Sequence, residues 1–180
     1  RYVRSIWKKN TAEEALLGVS MTGIMDHSVM SGAQKKGTWF EHPNMSSLPD
    51  VLEKLKATAV KTNKKWAEKL GINQSTAITA VKPSGTVSQL VDSASGIHAR
   101  FSDQYIRTVR SDGKDPISAF LVDAGVPWEK DVMNEDNYVF SFPIKAPAGS
   151  TSVDELNVQQ QLDLWEIYQN HWCEHKPSVT

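Results

Sequence analysis

Apolar and polar positions switch along the chain between helical and extended spacing, which predicts a mixed α/β fold. The clearest helix begins near Ser47, a good cap residue, and is predicted to end at Gly71. The apolar residues between these positions recur at helical spacing. They are Leu48, Val51, Leu52, Leu55, Ala59, Trp66 and Leu70.

Capping patterns predict two further helices in the first two thirds of the chain. Thr11 and Glu14 fit a capping box, so a helix is expected to run through Val19. Asp115, followed by a proline, predicts another helix start, and Gly125 predicts its end.

A second capping box, formed by Ser152 and Glu155, predicts the last helix. One face of this helix is expected to be apolar and to pack against the core. The apolar residues on that face are Val158, Leu162, Trp165, Tyr168 and Trp172.

Four stretches have the β-branched or alternating pattern of strands. They are residues 76–81, 105–110, 137–143 and the start of a strand at 177–180. Since helices long enough to cross over alternate with them, parallel pairing in an α/β sheet or barrel is expected. The chain begins at Arg1 without Met and stops within a predicted strand. We therefore interpret residues 1–180 as a single partial domain of a longer protein.

A tight corner after the first strand carries the strongest chemical signal. Pro83, Ser84, Gly85 and Thr86 lie between this apolar strand and a predicted helix. Gly85 permits unusual backbone angles and a close approach of a ligand, and the two hydroxyls add donors. Since free N–H groups at a helix start favour anions, the pattern predicts a strand–loop–helix phosphate cradle. The alternative is an ordinary capped turn, because both well-known glycine-rich phosphate motifs are missing.

Composition and charge add few constraints. Hydrophobic residues make up 39% of the 180 residues, and the formal net charge of -1 gives no attraction to nucleic acid or an anionic membrane. No apolar run approaches the length of a membrane span, and no signal-peptide pattern opens the sequence. The single cysteine, Cys173, excludes an internal disulfide and favours a reducing compartment, so a cytoplasmic location is expected.

Several charged residues are further binding candidates. His98 follows the corner by 12 positions and is a secondary candidate, with a structural histidine as the alternative. Arg107 and Arg110 can bind phosphates, or can form ion pairs at the surface. The lysines of the long helix fit a solvated face better than a binding patch; they are Lys54, Lys61, Lys64, Lys65 and Lys69.

His171, Cys173 and His175 have the residue types of a metal site. On a helix the two histidines share a face while the cysteine points elsewhere, and a fourth ligand is not evident. No metal site is therefore predicted. Cys173 is interpreted as a small buried residue, with a reactive thiol as the alternative.

Five segments carry a resemblance to a known family. They are residues 18–26, 82–90, 93–98, 105–110 and 173–180. In this order they resemble the large catalytic subunit of ribonucleotide reductases. The resemblance is closest to the adenosylcobalamin-dependent (class II) ribonucleoside-triphosphate reductases, and it extends over nearly the whole chain.

The resemblance implies that the chain is the C-terminal half of a ten-stranded α/β barrel. The implied reaction converts ribonucleoside triphosphates to 2′-deoxyribonucleotides by thiyl-radical chemistry, a step in deoxyribonucleotide biosynthesis for DNA replication. The implied cofactor is adenosylcobalamin, and the implied partners are a ribonucleotide substrate, a dithiol reductant such as thioredoxin, and deoxynucleotide effectors. The family's Asn-x-Cys-x-Glu motif and reducing cysteine pair are missing from this sequence. No catalytic residue is therefore assigned, and the chain alone is expected to be inactive.

By the same resemblance, the corner holds the phosphates of the substrate. The implied binding residues are Pro83, Ser84, Gly85, Thr86 and Val87, with Ser88 and His98 as secondary candidates. Three alternatives stay open. One is the large subunit of a class I ribonucleoside-diphosphate reductase, and another is a nucleotide- or phosphate-binding α/β module without catalysis. The third is a purely structural α/β fragment.

Overall fold

The computed structural model describes residues 2–32, 48–85 and 87–176, in which helices and strands are mixed along the chain. The described α-helices are α1 (Ser5–Glu14), α2 (Leu48–Leu70), α3 (Val87–Leu90), α4 (Pro116–Asp123) and α5 (Val158–His171). The described strands are β1 (Val19–Met21), β2 (Thr79–Val81), β3 (Gln104–Asp112), β4 (Trp128–Lys130) and β5 (Asn137–Lys145). Short 3₁₀ turns cover Ile24–Asp26 and Val153–Glu155. No helix in these ranges is long and apolar enough to span a membrane.

The chain divides into two compact units. The first comprises Arg1–Arg100 and Ala148–Thr180, and the second comprises Phe101–Pro147. The single domain inferred from the sequence stays a prediction.

A parallel pair of strands organises the first unit. Strand β1 pairs with β2, with Val19 opposite Thr79 and Met21 opposite Val81. All three residues of β2 are buried, as expected for an apolar strand at the centre of a fold. Because the strands are parallel, the segments that follow them leave from the same edge of the sheet.

The core of the first unit lies beside β2, where α2 and α5 pack together. Tyr168 is fully buried there, and its hydroxyl donates to the Met30 carbonyl at 3.0 Å. The indole N–H of Trp172 likewise donates to the Ala80 carbonyl at 2.8 Å. Both polar tips are therefore satisfied inside an otherwise apolar cluster. Its other members include Ile24, Met25, Leu48, Leu52, Val81, Ile97 and Leu164.

The second unit is an antiparallel sheet with strand order β3-β5-β4, together with helix α4. The Asp115 carboxylate accepts from the Ile117 N–H at 2.9 Å, which confirms the predicted start of α4. On the sheet, Arg110 Nε lies 2.8 Å from Asp131 Oδ2. The Met133 backbone N–H and this arginine hold the pKa of Asp131 below its usual value, against the opposing effect of burial. Ion pairing is thus the observed role of Arg110.

The predicted helices differ in how well they agree with the structure. Helix α2 is confirmed, and it ends at Leu70 before a left-handed Gly71 with φ of 66°. The capping box at Thr11 is wrong, because the Thr11 hydroxyl donates to the Trp7 carbonyl inside a helix that ends at Glu14. Ala15 turns left-handed there, and the following residues extend into β1.

The last helix begins later than predicted. The capping box of Ser152 and Glu155 does form, but it opens only a single 3₁₀ turn. A second box, in which Asn157 and Gln160 cap each other, starts α5. Of the predicted apolar face, Tyr168 and Trp172 are buried, whereas Val158, Leu162 and Trp165 are more than a third exposed.

Three strand predictions also need correction. The expected parallel pairing holds for β1 and β2, whereas β3 and β5 pair antiparallel. Strand β5 runs on to Lys145 instead of closing at Pro143, and the short strand β4 was not predicted. The predicted cap at Ser47 and the strand at 177–180 lie outside the described residues.

Candidate phosphate-binding site

The predicted phosphate corner directly follows β2 at the edge of the parallel sheet. Residues 82–85 form the described part of the loop, and Thr86 lies outside the described residues. Pro83, Gly85 and Val87 are exposed and Ser84 is partly buried, so the loop is open to a ligand. The order of strand, loop and helix agrees with the prediction. Helix α3 has only 4 residues, however, so its dipole contributes little to the attraction of an anion. Anion binding therefore depends on the hydrogen-bond donors of the loop itself.

A second hydroxyl lies beside the loop. Thr22 follows β1 as Ser84 follows β2, and their Oγ atoms are 2.9 Å apart. Among the described residues, no acceptor pairs with the backbone N–H groups of Ser84 and Gly85. The loop thus offers two free N–H groups and a hydroxyl that is already held in place.

Gly85 does not have the role that its backbone freedom suggests. It has no positive φ, and a Cβ added to it would meet no atom within 4 Å. Gly96 instead has a φ of 51°, and a Cβ there would lie 3.0 Å from the Lys82 carbonyl oxygen. The backbone of the corner therefore requires glycine at position 96, while Gly85 leaves open space in front of the loop.

Ser88 supports the loop from the buried side. Its side chain is fully buried, and its hydroxyl donates to the Ser84 carbonyl. The Ser88 carbonyl accepts from the Ser93 N–H at 2.8 Å. At the start of the loop, the Lys82 N–H donates to Ser20 Oγ at 3.1 Å.

A buried ion pair holds the turn that follows α3. The Arg100 side chain is 6% exposed, and its Nε and Nη2 donate to the two Asp26 carboxylate oxygens at 2.8 and 2.9 Å. Asp26 also accepts from the Ala94 N–H at 2.6 Å. Arg100 Nη2 reaches the Asp92 carbonyl at 2.7 Å. This network ties residues 92–94 to the segment that carries Thr22.

The end of the chain holds the strand that leads into the loop. The Glu174 carboxylate accepts from the Ile78 N–H at 2.7 Å and from the Thr79 N–H at 3.3 Å. The Thr79 hydroxyl donates to the Trp172 carbonyl at 2.5 Å. No local sequence pattern predicts a site role for Thr22, Asp26, Arg100 or Glu174. Their only signal was membership of the family-like segments, or, for Arg100, a position just after one.

The residues weighed as a metal site do not converge. His171 Nδ1 contacts Glu53 at 2.7 Å, whereas His175 Nε2 lies at 2.8 and 2.7 Å from the Leu17 and Ala77 carbonyl oxygens. In the ranges that the structure describes, no group of three or more metal-binding side chains occurs.

His98 is exposed and lies on a groove of about 370 Å³. The groove is also lined by Leu156, Val158 and Leu162, and none of the described loop residues lines it. This groove therefore does not join His98 to the described part of the phosphate corner.

Cys173 is buried, and burial raises the pKa of its thiol more than a backbone hydrogen bond from Val81 and two lysines lower it. At neutral pH the native thiol is thus protonated and unreactive. We expect a disulfide reagent to modify Cys173 at least about tenfold more slowly in the native chain than in guanidinium chloride. Equal modification rates in the native chain and in guanidinium chloride would contradict this interpretation and favour the alternative that Cys173 is a reactive thiol.

Comparisons with known proteins give one consistent result. No family model matches the chain. In sequence it is 26% identical to the adenosylcobalamin-dependent ribonucleoside-triphosphate reductase of Lactobacillus acidophilus, over 98% of this chain and 26% of the relative. It is 30% identical to a probable adenosylcobalamin-dependent ribonucleoside-triphosphate reductase of Dictyostelium discoideum, over 91% of this chain and 20% of the relative.

The fold comparison agrees with the sequence comparison. The crystal structure of a B12-dependent (class II) ribonucleotide reductase matches with a TM-score of 0.76 and 24% identity, over 95% of this chain and 26% of that one. These matches confirm the predicted resemblance and the α/β fold class. The chain spans about a quarter of the length of the relatives it matches. In sequence and in fold, the chain is similar to one part of the class II, adenosylcobalamin-dependent ribonucleotide reductases.

Proposed function

We propose that the chain is part of an adenosylcobalamin-dependent reductase that converts ribonucleoside triphosphates to 2′-deoxyribonucleotides by thiyl-radical chemistry. Its own contribution is the loop at residues 83–87, which holds the phosphates of the substrate. The sequence relatives, which match along nearly the whole chain, support the reaction class. The geometry of the loop supports the binding role.

The observation that carries the binding role is the convergence of distant segments on one exposed loop. The Thr22–Ser84 contact joins residues 62 positions apart, and the bond from Ile78 to Glu174 joins residues 96 positions apart. In the described part of the chain, no group accepts from the N–H groups of Ser84 and Gly85, which can therefore donate to an anion. Backbone N–H groups held in this way bind phosphate oxygens without rearrangement of the main chain.

The chain's residues act by holding and orienting the nucleotide. When bound, adenosylcobalamin supplies the radical chemistry, and no catalytic residue is assigned to this chain. Fixing the triphosphate fixes the ribose at one end, which converts binding energy into orientation of the reacting sugar. A dithiol protein reductant, deoxynucleotide effectors and a cytoplasmic location complete the proposal.

Activity of the full-length protein tests the reaction class. Each ribonucleoside triphosphate is incubated with a dithiol, with and without adenosylcobalamin, and the deoxynucleotide product is measured. Formation of product only with the cobalamin is the expected result. Product formed without cobalamin would indicate another class of reductase. No product under either condition would contradict the proposed reductase activity.

A Ser84→Ala variant tests the loop in the same assay. Loss of one hydrogen bond to a charged phosphate is expected to raise KM roughly tenfold, with a smaller change in kcat. Wild-type kinetics in this variant would leave the reaction class in place and remove the Ser84 hydroxyl from the binding site.

A further inference from the structure

The direction of the hydrogen bond between Thr22 and Ser84 follows from the partners of Thr22. Thr22 Oγ1 lies 2.9 Å from Ser84 Oγ and 2.9 Å from the Ala94 carbonyl oxygen. A hydroxyl has one hydrogen, and a carbonyl oxygen can only accept. Thr22 therefore donates to Ala94, and Ser84 donates to Thr22.

This direction conflicts with anion binding by Ser84. The single Ser84 hydrogen points at Thr22, so the Ser84 oxygen presents only lone pairs to the open side of the loop. A phosphate oxygen is also an acceptor, and two acceptors facing each other do not form a hydrogen bond. Ser84 can donate to a phosphate only if its hydroxyl hydrogen turns away from Thr22.

The surroundings of Ala94 make that change cheap. Its carbonyl oxygen also accepts from the Gly23 N–H at 2.7 Å. It therefore keeps a hydrogen-bond partner when the Thr22 hydroxyl rotates toward Ser84. Thr22 can then donate to Ser84 while Ser84 donates to the anion. The result is a chain of two hydrogen bonds that ends on a negative charge, and each bond in such a chain strengthens the other.

We propose that Thr22 is a positioning residue of the phosphate site, and that binding of a triphosphate reverses the Thr22–Ser84 hydrogen bond. This inference rests on the proposed phosphate-binding function of the loop. Thr22 does not touch the ligand. It keeps the Ser84 side chain in one of its three staggered rotamers. When the anion is bound, Thr22 donates a hydrogen bond to the Ser84 oxygen while Ser84 donates one to the phosphate.

The test compares four variants of the full-length protein: Thr22→Val, Thr22→Ser, Ser84→Ala and the double variant Thr22→Val/Ser84→Ala. Two quantities are measured for each variant, the KM for a ribonucleoside triphosphate and the inhibition constant of inorganic triphosphate. Thr22→Val keeps the shape of the side chain and removes the hydroxyl, while Thr22→Ser keeps the hydroxyl. The melting temperature of each variant shows whether it is folded.

We expect Thr22→Val to raise both constants about three- to tenfold, because Ser84 then samples all its rotamers and loses a hydrogen-bond partner. Thr22→Ser should bind as the wild type does, and kcat should change little. In the Ser84→Ala background, Thr22→Val should have no further effect, since Thr22 acts only through Ser84.

Three outcomes would overturn the inference. If Ser84→Ala weakens binding, two results would overturn the role of Thr22 but not that of Ser84. They are additive effects in the double variant and normal binding by Thr22→Val. Normal binding by Ser84→Ala would overturn the role of the Ser84 hydroxyl and this inference together. Because Thr22 is exposed and Ala94 keeps its second donor, the variants are expected to fold.

Discussion

Replacing Asp26 by alanine is expected to lower the free energy of unfolding of the chain by about 3–5 kcal/mol. Asp26 accepts two hydrogen bonds from Arg100 and one from the Ala94 N–H. Without this carboxylate, the Arg100 guanidinium, which is 6% exposed, loses a close countercharge and two hydrogen-bond acceptors. Removal of one partner from a buried ion pair is among the most destabilising single substitutions. Urea unfolding of the two proteins measures the difference.

Asp92 provides a matched control for this prediction. Its carboxylate also faces Arg100, at 3.3 Å from Nη1, but it is 69% exposed. Water screens such a pair, so Asp92→Asn is expected to lower the free energy of unfolding by less than about 1 kcal/mol. Asparagine is used because Asp92 has a φ of 47°, where alanine would add backbone strain. Equal losses for the two variants, or a negligible loss for Asp26→Ala, would show that burial of the Arg100–Asp26 pair does not hold the turn after α3.

Replacing Gly85 by aspartate is expected to raise the KM of the full-length protein for ribonucleoside triphosphates roughly 100-fold. The new carboxylate would project into the open space in front of the loop, where a Cβ meets no atom within 4 Å. Two unit charges about 4 Å apart near a protein surface repel by about 4 kcal/mol, and salt reduces that value. A repulsion of about 2.7 kcal/mol corresponds to the expected 100-fold change.

Gly85→Asn is the control, because it has the shape of aspartate without the charge. Gly85 has no positive φ and open space around it, so both variants are expected to fold. We expect Gly85→Asn to raise KM only a few-fold through partial obstruction of the loop. If the two variants lose equal affinity, the effect is steric, and if neither loses affinity, the loop is only a turn.

Local signals in the sequence were enough to predict some elements. Helix α2 has an apolar face, an acidic first turn and a terminal Gly71, all within the helix and its ends. Helix α4 has its Asp115 cap and proline start in adjacent positions. Each signal lies next to the backbone groups that it satisfies, so a single sequence shows it. The turn after β2 was predicted in the same way, from its turn residues between an apolar strand and a helix, and its described part is residues 82–85.

Tertiary context decided the elements that were predicted wrongly. The Ser152 and Glu155 box is real, yet the chain leaves the helical path after Glu155 and a second box at Asn157 starts α5. At the corner, the sequence points to Gly85, but Gly96 is the glycine that packs against the Lys82 carbonyl. That contact depends on how the chain folds back, which no local pattern encodes.

The supports of the candidate site were not predictable for the same reason. Thr22 and Ser84 meet only because β1 and β2 are parallel and in register, which places the residues after each strand at one edge. Arg100 and Asp26 are 74 positions apart, and either one alone looks like an ordinary surface charge. Most of these residues lie in the segments that resemble the reductase family, and the fold shows that these segments contact one another.

A structure of the full-length protein with a ribonucleoside triphosphate bound tests the phosphate-binding role of the loop most directly. Phosphate oxygens are expected within about 2.7–3.2 Å of the loop N–H groups and of Ser84 Oγ, with Thr22 behind Ser84. Phosphates bound elsewhere, with residues 83–87 free of the nucleotide, would contradict it.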